Sequence, residues 1–265
     1  MIQKKEIEDF LNKIPPIPEN LKKCLNELNS GNLKGAADVA KNDLALSSHL
    51  RNIINKPIFG LRTEIKDVNQ IFSTLGLGYI NQIIRAYMMK LIIPKNWEFF
   101  KMSQSLFEEL QIELMKEWNK LLTSLKIEDK EIIASIAILP ASIIVCEEIF
   151  KSRKSDFLII RETSDIDYNT ILKRMTNMDI FDVCNLIADK WNLSENTKEI
   201  ISLSSGKIDT NTQSKYLTVA KYMHLLLFYE LSQSKFIKAN LNDFIDFNPE
   251  FVSDIFENFQ KVVVS

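Results

Sequence analysis

Apolar positions recur three and four residues apart along most of this chain, the spacing of one helix face. Between residues 43 and 78 the pattern is sharpest. Leu46, Leu50, Ile53 and Ile54 form one stripe, which predicts a helix ending near Asn55, because Pro57 disfavours helical geometry at Lys56. Phe59 then offers an aromatic side chain to a core, and Gly60 permits a sharp turn. A second stripe, Val68, Ile71, Phe72 and Leu75, stops at Gly76. The pattern predicts helix, elbow, helix.

The flanking sequence reads the same way. Helices are predicted over 4–13, 19–28 and 33–40, with Pro15, Pro16 and Pro18 stiffening the first connection. A strong helix over 77–93 is closed by Pro94, and a seam between an N-terminal lobe and the rest is placed at 94–96. A long helix is expected from about Trp97 to Leu122, then one buried helix over 130–150. Residues 151–156 (KSRKSD) read as a charged loop, and Ser164 or Asp165 as the cap of a helix over 166–175. Helices over 179–191, 195–203 and 215–232 follow, with a polar loop at 204–214 and one more helix in the tail, 243–263. No segment reads as a strand. The expected class is all-α, divided as 1–94, 95–205 and a C-terminal extension, 206–265, packed on the same domain.

Composition changes this picture little. Across 265 residues, 46% are hydrophobic and 26% charged, and 6 Gly and 7 Pro leave few turns, which favours long helices. A net charge of −2 gives no general attraction to nucleic acid or anionic lipid. Cys24, Cys146 and Cys184 are an odd, widely spaced set among apolar helical residues, read as buried thiols in a reducing cytoplasm. The N-terminus has no apolar signal core. The charge-free run from Ile132 to Cys146 is too short to span a bilayer and contains Pro140. No nucleic acid and no membrane are therefore expected as partners.

Several of these residues together carry a resemblance. Asp43 and Leu46, then Asn55, Phe59 and Gly60, then Leu75 and Gly76 fall where the HDOD domain family reads Asp-Pro-x-Leu, Asn-Ser-x-Phe-Gly and a helix closing on Leu-Gly. Leu44 and Lys56 depart from that family's proline and serine, and Pro57 adds to the elbow. Ile14 to Pro18 resembles its Leu-Pro-Pro-Leu-Pro opening, and Trp191-Asn-Leu-Ser194 its Trp-Gly-Leu-Pro. The resemblance implies a helical output module of bacterial signalling, related to HD phosphohydrolases, in two packed lobes.

Phosphohydrolase chemistry needs imidazoles and carboxylates converging on metal ions. The chain has two histidines, His49 and His224. The resemblance lays residues 131–141 on Ala-Phe-Leu-Ala-Gly-Leu-Leu-His-Asp-Ile-Gly, so Ile138 and Leu139 stand at the metal-binding dyad, which is thereby vacated. Further family histidines would fall near Glu109-Leu110 and at Ser204-Ser205. His49 reads as a core or lobe-interface residue, and His224 as a semi-exposed helix position. Asp165-Ile-Asp167 lacks the glycine and distal glutamate of a calcium loop. Gly76-Leu-Gly78 lacks the strand and third glycine of a phosphate cradle. No catalytic, cofactor or metal residue is expected. The reading is a non-catalytic cytoplasmic regulatory module that binds other signalling proteins, their identity open, with self-association also open. Input is expected through binding or from a separate polypeptide, since the chain has no room for a further signalling domain. The alternative is a degenerate HD-type nucleotide sensor or residual phosphohydrolase.

Overall fold

Helices are the only regular elements among the residues that the computed structural model describes, namely 4–164, 166–207, 213–245 and 247–264. In order they are α1 (Lys4–Lys13), α2 (Glu19–Asn29), α3 (Leu33–Lys41), α4 (Leu44–Ile54), α5 (Val68–Met88) and α6 (Gln104–Ser124). Then come α7 (Lys130–Ser135), α8 (Ala141–Phe150), α9 (Lys154–Ser164), α10 (Tyr168–Thr176), α11 (Ile180–Lys190) and α12 (Glu195–Leu203). The last are α13 (Leu217–Leu231), α14 (Ser234–Ile237), α15 (Pro249–Val252) and α16 (Phe256–Phe259). The all-α class is as expected.

Local chemistry starts many of these helices. Asp43, Asp67, Ser103, Asp129, Asp167 and Ser194 each accept a hydrogen bond from a backbone N–H in the first turn, occupying donors that would otherwise be unpaired. α5 is bent rather than ended at Gly76, whose φ of 74° and ψ of 177° a side chain would strain. The bend divides α5, which as a whole packs against α3, α4 and α7.

Four expectations need correction. Trp97–Met102 is not helical; α6 begins at Gln104, because the backbone N–H groups of Glu98, Phe99 and Phe100 are taken by the buried Glu147 carboxylate rather than by a helix ladder. The stretch 130–150 is two helices, broken around Leu139-Pro140, where proline lacks the donor a continuous helix needs. Residues 151–156 are helical, drawn in by the fully buried Phe157 and by Lys154, which donates to the Glu98 carbonyl at 2.7 Å. The tail is three short turns rather than one helix. In addition, Asp167, not Ser164, caps α10, and Asp165 lies outside the described residues, as do 208–212 of the polar loop.

The core runs continuously through all of these elements. Phe99, Phe150, Phe157 and Tyr168 form an aromatic cluster with Phe150 and Phe157 stacked at 4.1 Å. The three cysteines are buried and unbridged. The stretch Lys130–Arg161 is apolar and long enough to cross a bilayer, but its most apolar part is 89% buried against the rest of the chain.

Where α13 packs on α6, Glu230 is buried beside Glu113 and Glu117. Burial first, then these two carboxylates, raise the Glu230 carboxyl to about 7, against partial relief from Lys235. A raised carboxyl holds its proton more tightly when folded, so its contribution is fully present below pH 4.5 and lost as pH rises through 7. Melting temperature should fall between pH 5 and 8, and Glu230→Gln should flatten that slope in pH-resolved thermal denaturation.

Candidate functional site

The elbow is built by one asparagine. Asn55 Nδ2 donates to the Arg51 and Ile65 carbonyls, both at 2.9 Å, and its Oδ1 accepts from the Ile65 N–H at 2.8 Å. Both ends of its amide are used, and the loop between α4 and α5 is folded back onto the end of α4. Arg51 adds a bond from Nε to the Lys66 carbonyl at 2.7 Å. Pro57 starts a single 3-10 turn through Phe59, and Gly60 follows with left-handed backbone at φ 62°. Asp43 caps α4 through Ala45 and Leu46, Leu46 is fully buried, and Leu75 packs on the core just before the Gly76 bend. Leu44, where the family reads proline, is 85% exposed. Replacing Asn55 with alanine leaves Ile65 without two bonds and should cost about 2 kcal/mol. Hydrogen exchange should show the Ile65 amide losing protection first.

The dyad positions lie elsewhere, in the turn between α7 and α8. Ile138 and Leu139 are 0% and 1% exposed. The Cys184 thiol lies 3.7 and 3.5 Å from their carbonyls. Burial pushes that thiol up to about 12, so it remains protonated. Ser204, where the resemblance would place another histidine, is buried and bonded to the Ile200 carbonyl. His224 is buried rather than semi-exposed, because α13 is covered by both α12 and the C-terminal turns. Its Nδ1 sits 3.0 Å from the Ser204 carbonyl. His49 is half-buried, 4.6 Å from the Tyr87 ring. Burial, with Lys90 and Lys56 nearby, lowers its pKa to about 3, leaving it neutral. Among the described residues no three His, Cys, Asp or Glu side chains are grouped to hold a metal.

Sequence reading missed a buried, multiply bonded polar group. Arg85, 3% exposed on α5, donates to Asn81 Oδ1 at 3.0 Å, Thr197 Oγ1 at 2.9 Å and Glu131 Oε2 at 2.9 Å. Glu131 Oε2 also accepts from Ser194 and Thr197 hydroxyls at 2.6 and 3.0 Å. Burial pushes the Glu131 carboxyl up, but Arg85 and the two hydroxyls outweigh it and hold it below the usual carboxylate range. One buried cluster thus ties α5, α7 and α12. The available signal was a lone arginine within the apolar run from Ile80 to Met89, four residues after an asparagine.

The same cluster unites distant motifs. A cleft of about 220 Å³ is lined by Pro16 and Ile17 of the opening, by Trp191 and Ser194 of the second motif, and by Arg85 beneath. Trp191 is buried, and its indole N–H has no partner among the described residues. The opening and the tryptophan motif are therefore neighbours in space, although Pro16 and Trp191 are 175 positions apart in the chain.

The family model of the HDOD domain matches residues 11–205. An HDOD domain protein of unknown function from Geobacter sulfurreducens is similar over 98% of this chain and 96% of its own, with a TM-score of 0.66 at 11% identity. A virulence factor from Campylobacter jejuni subsp. jejuni aligns over 97% of this chain and 98% of its own at 15% identity, with a TM-score of 0.42. No curated protein matches.

Proposed function

This chain belongs to the HDOD domain family, and from that premise we propose that it is a non-catalytic regulatory module acting through contacts with other signalling proteins. The observation that carries the reading is the filled dyad. Ile138 and Leu139 offer no group that can ligate a hard cation or move a proton, and they are sealed in the core. The elbow itself faces outward, with Pro57 and Gly60 exposed. Leu44, 85% exposed at the start of α4, and Leu61, 37% exposed just after the Asn55 fold at its other end, are apolar side chains that a protein partner would cover. In this proposal a partner reads that face, and its pull on α5 passes through Arg85 to α7 and α12. The division near Pro94 into two lobes, and a cytoplasmic setting, belong to the same proposal.

The test has two arms. Purified protein is screened by thermal shift with Mg²⁺, Mn²⁺ and cyclic and linear nucleotides, and for hydrolysis of phosphate esters. Partner capture from the source cell is then compared between wild type and Leu44→Asp with Leu61→Asp. Saturable, metal-dependent stabilisation or turnover would sink the reading. Capture of one protein by wild type, lost in the folded double variant, is the expected result.

A further inference from the structure

A second cavity, of about 530 Å³, opens between α5, α6, the elbow and the C-terminal turn, within the ~300–1,000 Å³ range usual for small-molecule sites. Phe59, Tyr79, Ile83, Ile112, Met115 and Val262 give it an apolar wall. Its polar side is Gln82 and Asn119, and their orientation is set from one end. The Ile133 carbonyl can only accept, so Gln82 turns Nε2 to it at 3.0 Å. Gly78 permits that approach, since a Cβ there would lie 2.7 Å from the Ile133 side chain. Gln82 Oε1 is then left to accept from Asn119 Nδ2 at 2.9 Å. The relay ends at Asn119 Oδ1, a buried acceptor without a partner among the described residues.

Such an acceptor requires a donor, because a buried polar atom left unpaired is costly. The rim decides the charge. Lys116 and Lys120 share the one Glu117 carboxylate, at 3.0 and 2.7 Å, so the rim keeps a net positive charge that disfavours a cation. An anion would meet a carbonyl oxygen at the relay's end, and a cation would meet two lysines at the mouth. We propose that this cavity binds a neutral aromatic molecule whose O–H or N–H donates to Asn119 Oδ1, its rings lying against Phe59, Ile83 and Met115. The proposal stands apart from the partner-binding reading, since occupancy can be measured without any partner. Its consequence is that a small molecule would touch Phe59, and with it the elbow, from beneath.

The test uses two probes that differ in the donor alone, 2-naphthol and 2-methoxynaphthalene, titrated calorimetrically into the full chain. Saturable one-to-one binding is expected, with the naphthol about three- to tenfold tighter, the worth of one neutral hydrogen bond. Thr123→Trp changes an exposed side chain at the mouth and should abolish binding of both probes. Asn119→Leu should bring the two affinities together while the ether still binds. No saturable binding to wild type, equal wild-type affinities, or undiminished binding to Thr123→Trp would overturn the proposal. So would tighter binding of 2-naphthalenesulfonate than of the naphthol. If Asn119→Leu loses its helical circular dichroism, the probe pair and Thr123→Trp still decide.

Discussion

Arg85→Met is expected to destabilise the protein by about 3–5 kcal/mol, the usual cost of removing one partner from a buried ion pair. For a chain of this size that corresponds to a fall of roughly 10 °C in melting temperature. The reason is what remains. Glu131 keeps the two hydroxyls of Ser194 and Thr197 but loses its Arg85 guanidinium, and Asn81 loses its donor. Removing both charges is a different experiment. Arg85→Met with Glu131→Leu replaces the pair by apolar volume and should recover much of the loss, since such replacements are often neutral. The pH dependence separates electrostatics from packing. A depressed carboxyl stabilises the fold above its unfolded value and loses that contribution as pH falls through the folded one. Wild type should therefore lose stability below pH 4.5 through Glu131, whereas Arg85→Met should lose less there. Equal acid sensitivity in the two proteins would show that Arg85 acts only by filling space.

Glu147→Leu should cost about 4 kcal/mol, because three backbone donors lose their acceptor inside a dry core. Glu147 is fully buried on α8, and its two oxygens accept from Glu98 at 2.6 Å, from Phe99 at 3.0 Å and from Phe100 at 2.9 Å. The segment so held carries Phe99 and Phe100 into the aromatic cluster with Phe150 and Tyr168. Glu147→Gln keeps one oxygen and should fall between the two. Chemical denaturation would read the order, wild type above Glu147→Gln above Glu147→Leu. A leucine variant within about 0.5 kcal/mol of wild type would refute the clamp, that being the scale of ordinary surface substitutions.

These two groups also mark where the sequence stopped being readable. The helices around the elbow were legible because their boundaries are local. Asp43 caps within three residues, and Pro57 stops its helix from three residues beyond Ile54. That the run from Ile132 to Val145 carries no ionisable side chain was legible too, wherever its register falls. Trp97 to Met102 misled because its apolar spacing suits a helix, while the acceptor that unwinds it lies 47 to 49 residues away. The charged run at 151–156 misled in the opposite way, its polarity hiding the pull of Phe157 from just beyond it. Of the candidate-site features, the elbow could be assembled from local spacing. The Arg85–Glu131 pair and the Gln82–Asn119 relay could not, being joined across 46 and 37 residues by packing that no short window reports.

The sealing of Ile138 and Leu139 has a historical side. An ancestral enzyme that lost its ligands could regain them by reversion only if the site still admitted water. Here Ile138→His or Leu139→Asp would set an ionisable group among atoms that cannot solvate it, at a cost of several kcal/mol for each charge. Whole-protein stability is of order 5–15 kcal/mol, so the pair together would exhaust much of it before any metal arrived. Under the proposed reading the aliphatic pair would work as a ratchet, leaving surfaces free to diversify while barring a return to hydrolysis.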